Sequence, residues 1–392
     1  MVSVHYDMPE GIDLCIRGSM KKFDSNHDCF EECKFSAPRT TFLNRQAIML
    51  LSYRKIPDES FIILQQENHL ALIRTLLRNA DAEKLILQKI PAWFLPSNIH
   101  HAQIDYIHEP FFRQLLINAC LQSVRELLRR TRIRVPADEG RNMIGIVDEC
   151  NVLKPNEVFV QYTILDRNSP DNRDASDNKK QKTKILDNCT VVITKNPCHH
   201  PGDIRTFTAV NHPALEHLKD VIVFSQQGDR PAPHDISGSD LDGDEYLVIW
   251  LNHLVPLKTT NAPPYNYDTD IPQRPLPKEV TRGIINETIL EIAAQDCLGR
   301  LSNLHLAFAD KFGIDDTQSR GKDVFSTVEL AAKISQEVDS GKTGYHPVKE
   351  IEIQSLNRFL DNKRPDYVDK PQYELYESKH VLGKKNTTTL II

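Results

Sequence analysis

The residues of this sequence best suited to chemistry lie together in one segment, Ser237-Gly238-Ser239-Asp240-Leu241-Asp242-Gly243-Asp244-Glu245-Tyr246. Three carboxylates at i, i+2 and i+4 share one face of an extended strand, and Gly243 lets the chain tighten so that Asp240, Asp242 and Asp244 converge. Unpaired, they repel one another. A hard divalent cation removes that penalty. Mg²⁺ suits the set because it takes oxygen ligands at about 2.0 to 2.1 Å and keeps water or phosphate oxygens for its other positions. Leu241, between the acids, is expected to point back into the protein and anchor the loop.

Rival readings can be tested on the letters. A calcium loop beginning at Asp240 needs glycine at its sixth position and glutamate at its twelfth, and those positions hold Glu245 and Leu251. A magnesium phosphohydrolase with an Asp-x-Asp-x-Thr nucleophile motif would need threonine where Asp244 stands. A solvated acidic turn is the ordinary explanation of such a cluster. Here, however, the cluster sits between two strongly apolar segments, Val221 to Phe224 and Tyr246 to Trp250, rather than in a polar linker.

Cations and imidazoles precede it: Lys195-Asn196-Pro197-Cys198-His199-His200-Pro201-Gly202-Asp203-Ile204-Arg205, then Lys219, Arg230 and His234. Cys198, His199 and His200 are adjacent ligands without a second pair at zinc spacing, which makes a weak zinc signal. Cations near carboxylate-bound metal are better explained as partners for a polyphosphate, whose charge must be offset on several sides.

These groups need a scaffold. Five apolar runs at Met143 to Val147, Glu157 to Tyr162, Thr190 to Thr194, Val221 to Phe224 and Tyr246 to Trp250 predict a compact β domain over 141–252, of barrel type. Asp166 to Lys184 is almost wholly polar and reads as a flexible excursion that tolerates insertion. Residues 11–65 read as strands, Phe61-Ile62-Ile63-Leu64 among them, plus one short helix near Asn44 to Leu51. From about 66 to 135 the period turns helical, ending in Arg125, Arg129, Arg130, Arg132 and Arg134. That basic end can meet phosphates, and a solvated face complementing the helix dipole explains it equally well. Six prolines between 256 and 277 mark 253–278 as a connector. Helical patterns resume over Ile284 to Phe312 and at Val324, Val328, Ala331, Ile334 and Val338.

The chain has 392 residues, 40% apolar and 26% charged, with 48 basic and 54 acidic side chains for a net charge of −6. That is a folded rather than a disordered composition, sized for about two to four packed units. The balance argues against a histone-like polycation, but a whole-chain sum says nothing of a local basic cleft. No run approaches the roughly 18 to 20 apolar residues that span a bilayer, and no secretory leader follows Met1. Eight scattered cysteines without a CxxC pair point to reduced thiols in a cytoplasmic or nuclear compartment.

At these residues the sequence resembles the cellular RNA-dependent RNA polymerases of eukaryotic RNA silencing. The matching stretches are Gly145 to Glu149, Val158 to Tyr162, Lys195 to Arg205, Val221 to Gly228 and Ser237 to Tyr246. Upstream they include Leu14 to Phe23 and Leu43 to Gln46. Downstream they include His305 to Asp310, Val338 to Gly344, Pro365 to Tyr367 and Leu382-Gly383. The match covers nearly the whole chain in family order, and its specificity rests on Asp240 to Asp244 with His199 to Arg205 upstream.

The resemblance implies an α+β fold with a catalytic core of double-psi β-barrels, one complete and one partial, and connecting and C-terminal helices. The expected division is 1–65 for the partial first barrel, 66–140 for a helical connector and 141–252 for the second barrel with the catalytic loop. A linker at 253–278, a helical domain at 279–345 and a C-terminal segment at 346–392 follow, without the family's head domain. The resemblance assigns Asp240, Asp242 and Asp244 to a catalytic Mg²⁺, and Lys195, Arg17 and Lys22 to substrate phosphates or sugar; Arg205 and Arg230, among the cations that precede the acidic loop, are expected to bind substrate phosphates beside them. It gives Asp310 and Lys342 no role. Template-directed nucleotidyl transfer is implied, with RNA template and product, nucleoside triphosphates and other silencing proteins as partners and no membrane. Family members are commonly far longer, and Gly18 stands where proline is usual. The alternative is therefore a truncated, inactive paralogue that binds RNA or a silencing partner without turnover.

Overall fold

The computed structural model describes residues 10–11, 14–16, 18, 33–89, 104–165, 182–257, 261–267, 280–321 and 324–383. A short strand, β1 (Phe42–Leu43), leads into α1 (Arg45–Tyr53), which the side chain of Asn44 caps by accepting from the Ala47 amide at 2.8 Å. Next come α2 (Asp58–Leu77), α3 (Asn79–Lys89) and α4 (Pro110–Arg130), then β2 (Ile133–Arg134), which pairs antiparallel with β1. The expected helix near Asn44 to Leu51 is therefore present. The strand read at Phe61 to Leu64 is instead the second turn of α2. Pro57 sets the entry, Asp58 and Glu59 favour the helix N-terminus, and Phe61, Leu64 and Gln65 bury one face at helical spacing. A four-residue apolar run does not by itself separate the two structures.

The β domain is built from β3 (Gly140–Val147), β4 (Glu157–Thr163), β5 (Thr183–Ile185), β6 (Cys189–Lys195), β7 (Arg205–Ala209), β8 (Val221–Phe224) and β9 (Glu245–Ile249). Six of these close into a ring in the order β4-β7-β6-β9-β3-β8, with β8 returning to β4 and β5 added outside β4. Two pairings are parallel, β3 with β8 and β4 with β7, and they interlock the halves of a double-psi barrel. All five strands expected from apolar runs are present. The runs missed β5 and β7, the latter because Arg205-Thr206-Phe207-Thr208-Ala209 alternates polar and apolar over only five residues. Residues 166–181 of the polar excursion lie outside the described residues.

The strands are apolar on both faces for a reason visible in the packing. Tyr246 and Val248 of β9, Val191 and Ile193 of β6 and Val158, Val160 and Tyr162 of β4 fill the barrel interior. Their neighbours Leu247, Ile249 and Val192 pack outward with Ile48, Leu51 and Phe61 of the helical layer. Each such fully buried side chain contributes about 1.5 to 3 kcal/mol.

Beyond the barrel, α5 (Arg282–Gln295), α6 (Leu298–Phe312), α7 (Thr327–Val338), α8 (Ser340–Thr343) and α9 (Glu350–Phe359) follow, and β10 (Arg364–Pro365) pairs with β11 (Leu375–Tyr376). Leu304 and Phe308 of α6 pack with Leu330 and Ile334 of α7 and with Leu356 of α9. Asp310 of α6 accepts hydrogen bonds from the hydroxyls of Tyr367 (3.2 Å), Tyr376 (3.0 Å) and Ser378 (2.5 Å), stapling the C-terminal segment to this bundle. That gives Asp310 a structural role which its motif alone did not disclose. Among the described residues, no helix is long and apolar enough to cross a membrane, and every cysteine is a free thiol.

Candidate catalytic metal site

The acidic loop joins β8 to β9. Its convergence does not come from an extended strand, as the spacing suggested, but from left-handed backbone. Leu241 has φ +59° and Gly243 φ +120°, and these two kinks bracket Asp242. The turn brings one carboxylate oxygen each of Asp240, Asp242 and Asp244 within 4.8 Å of one another. Left-handed backbone costs a bulky residue about 1 to 2 kcal/mol. The Leu241 side chain offsets that by packing on the barrel interior beside Tyr246, so the expectation that it anchors the loop is met.

The neighbours of the triad are ordered by the barrel. Gly145 of β3 donates its amide to the Asp244 carbonyl at 3.1 Å. A Cβ at Gly145 would overlap the Tyr246 ring and lie 2.9 Å from Leu241, so only glycine admits both side chains here. The Ser239 hydroxyl donates to Asp244 Oδ2 and also contacts the hydroxyl of Tyr246. Burial chiefly, and then the charges of Asp244, Asp240 and Asp242, push the Tyr246 phenol above its ordinary range, which keeps it neutral. Lys195, at the end of β6, places its ammonium 2.8 Å from Asp244 Oδ1. The next residue, Glu245, pairs with Lys34 and Arg39 and accepts from Asn142 at 2.7 Å.

The donor set fits a hard divalent cation. Oxygens on one octahedral ion at about 2.1 Å lie at most about 4.2 Å apart, so the observed spread closes with small side-chain rotations. Three carboxylates and one ammonium leave two negative charges, which a single divalent cation balances. Among the described residues, no other group of three acids, histidines or cysteines comes this close. Cys198, His199 and His200 do not converge. Cys198 is buried with its thiol pushed up to about 12, His199 turns to the Ser302 hydroxyl at 2.8 Å, and the His200 ring rests against Tyr265.

The triad opens on a cleft of about 250 Å³. Lys195 and Asn196 form one wall, and Ile334, Ser335, Val338 and Asp339 on and just past α7 form the facing one. A third wall comes from within the proline-rich connector, where residues 261–267 pack on the barrel. The Tyr267 hydroxyl donates to Asp203 Oδ1 at 2.6 Å, and its ring lies over Gly238 of the acidic loop. Asp203 Oδ2 accepts the amides of His199 (2.8 Å) and His200 (2.9 Å), which folds the His-His-Pro-Gly-Asp turn. Burial holds His199 down to about 4 and His305, whose ring meets it edge-on at 4.8 Å, well below the usual imidazole range.

Of the residues singled out in the sequence, the three aspartates and Lys195 meet in this cleft. Arg205 and Arg230 meet each other instead. Their guanidiniums lie 3.9 and 3.6 Å from Asp235, at the base of the loop and outside the cleft lining. Arg17 and Lys22 lie outside the described residues. Sequence reasoning missed Tyr267, Asp203 as a hub and Asn44, whose amide nitrogen donates to Asn196 at 2.8 Å. Asp203 carried a signal, because an acid three residues after His200 is a capping pattern. Tyr267, in a segment with no periodicity, carried none.

Residues 1–384 match the sequence family described as RNA dependent RNA polymerase. RNA-dependent RNA polymerase 1 of Arabidopsis thaliana is 36% identical over 378 residues, 95% of this chain and 31% of that protein. RNA-dependent RNA polymerase 1 of Schizosaccharomyces pombe is 28% identical over 94% of this chain and 30% of its own length. This chain thus spans about a third of these relatives. Among solved structures, RNA dependent RNA polymerase QDE-1 from Thielavia terrestris superimposes with a TM-score of 0.56 at 19% identity, over 90% of this chain and 42% of that one.

Proposed function

The chain belongs to the RNA-dependent RNA polymerase family, and from that premise we propose that it carries the catalytic core of a template-directed nucleotidyl transferase making complementary RNA for small-RNA silencing. The observation that carries the reading is the convergence of Asp240, Asp242 and Asp244 beside Lys195 at the mouth of a closed double-psi barrel. In this reading the three carboxylates hold Mg²⁺. When bound, that ion supplies acidification of the primer or initiating 3′-hydroxyl and neutralisation of charge on the transferring phosphate.

The protein's own groups do the positioning. Ser239 fixes the Asp244 carboxylate, and Tyr246, neutral and buried, seals the barrel beneath it without adding charge. The Lys195 ammonium swings between Asp244 and the nucleotide phosphates, offsetting negative charge as pyrophosphate leaves. Arg17 and Lys22 are assigned to the triphosphate by the family motif alone. Arg205 and Arg230 serve the substrate through Asp235, bracing the loop that carries the triad. The division into a partial first barrel at 1–65, connector at 66–140, second barrel at 141–252, linker at 253–278, helical domain at 279–345 and C-terminal segment at 346–392 belongs to the same reading. Base pairing chooses the nucleotide, so the protein needs only to grip backbone.

The test is incorporation of labelled nucleoside triphosphates by the full chain on a single-stranded RNA template with Mg²⁺. A product complementary to the template supports the reading. RNA binding without any incorporation sinks it and favours a binding protein that lacks turnover.

A further inference from the structure

The end of α4 and the strand after it gather a charge that the cleft does not use. Between residues 125 and 134 stand five arginines, Arg125, Arg129, Arg130, Arg132 and Arg134, against one acid, Glu126, in a chain whose net charge is −6. All five arginines are exposed. Arg125 and Arg129 share a helix face one turn apart, while Arg132 and Arg134 alternate with the fully buried Ile133 and so turn outward together. The helix dipole accounts for cations in the last turn, Arg129 and Arg130, but not for Arg132 and Arg134 on a strand beyond it. Of Arg125, Arg129, Arg130 and Arg132, only Arg129 takes part in an ion pair among the described residues. That pair is a 3.9 Å approach to Asp369 with both side chains about two-thirds exposed. The Arg132 guanidinium lies over the Phe42 ring at 6.0 Å, and both side chains are exposed.

The row is joined to the cleft. Arg134 and Ile133 pair with Phe42 and Leu43 of β1, one strand spacing of about 4.8 Å away. The next residue, Asn44, donates to Asn196 on the cleft wall, and Arg45 donates to the Arg129 carbonyl.

We propose that this row is a track for the sugar–phosphate backbone of single-stranded RNA on its way to or from the cleft, a proposal that rests on the polymerase reading for its direction but not for its binding. A run of five exposed cations suits a backbone that carries one phosphate per nucleotide. A docking patch for an acidic protein would carry an apolar centre, whereas every exposed side chain described between residues 125 and 134 is an arginine.

The experiment measures binding of a labelled single-stranded RNA oligomer to the full chain across a salt series, in EDTA so that no chemistry intervenes. Arg130→Gln, Arg132→Gln and Arg134→Gln are combined in one variant. Each arginine–phosphate pairing that is removed lowers the slope of log affinity against log salt by about 0.7, so the triple variant loses about 2 from the slope and binds at least tenfold more weakly at low salt. The matching Arg→Lys triple variant keeps the slope. If the triple variant does not fold, Arg130→Gln alone gives a slope change of about 0.7. An unchanged slope overturns the track, as does competition by polyglutamate equal to that of RNA, charge for charge. Loss of slope in the variant alongside a wild type that never incorporates nucleotide sinks the polymerase reading and leaves the track standing. Normal incorporation with an unchanged slope sinks the track alone.

Discussion

Replacing Asp242 by Asn keeps the shape of the acidic loop and removes one of its three charges, which makes opposite predictions for stability with and without metal. The ligand oxygens lie within 4.8 Å of one another, and Asp240 and Asp242 are exposed, so the solvent limit applies. Two unit charges at that distance in water repel by about 0.9 kcal/mol. Asp242 takes part in two such pairs, so relief of this repulsion in Asp242→Asn contributes about 2 kcal/mol to the metal-free protein at low salt, less as salt screens. Wild type gains about 2.7 kcal/mol when Mg²⁺ stands at 100 times its dissociation constant, and the variant gains far less. Thermal melts at low ionic strength should therefore cross, the variant melting higher in EDTA and wild type higher in Mg²⁺. Nucleotide incorporation should fall by about a thousandfold, equivalent to about 4 kcal/mol of transition-state stabilisation. A variant that melts lower than wild type in EDTA, or equal Mg²⁺ stabilisation of both proteins, refutes the assignment of Asp242 as a ligand.

Other perturbations follow from the same geometry. Lys195→Met leaves three negative charges on the triad instead of two, so the Mg²⁺ concentration for half-saturation falls while incorporation drops about a hundredfold; weaker Mg²⁺ binding would contradict it. Gly145→Ala drives a Cβ into Tyr246 and Leu241, costing about 1 to 3 kcal/mol in urea unfolding and removing Mg²⁺ stabilisation; wild-type activity would show that the loop does not depend on this close approach. His199 titrates at about 4 in the folded protein against 6.5 when unfolded, so the unfolded chain binds more protons between these values and stability falls as pH drops from about 6.5 toward 4, by up to about 3 kcal/mol. His305, also depressed by burial and with neither ring nitrogen hydrogen-bonded among the described residues, adds to that acid limb. His305→Leu should flatten the limb without lowering the melting temperature at neutral pH, and a melt as acid-sensitive as wild type would refute this.

The barrel was legible because its strands are buried on both faces. Val191 to Ile193 and Tyr246 to Ile249 read as unbroken apolar runs, and such runs bounded by turns name strands. The triad was legible because acids between two core strands have few uses. What failed was periodicity over short windows. Phe61 to Leu64 looked like a strand until Pro57, Asp58 and the burial of Gln65 made it a helix, and Arg205 to Ala209 was too short to register. The walls of the cleft were hidden for a different reason. Tyr267 and Ser335 come from segments far apart in sequence, and only the packing of the connector and α7 on the barrel brings them to the loop. Arg205 and Arg230 were sensed as a basic neighbourhood, but their shared partner Asp235 is fixed by the fold.

The most direct test of the central claim is the anomalous scattering of a crystal soaked with Mn²⁺ as a stand-in for Mg²⁺. A single strong peak at about 2.0 to 2.2 Å from oxygens of Asp240, Asp242 and Asp244 is the predicted result. A peak elsewhere, with these three carboxylates turned apart, would contradict it.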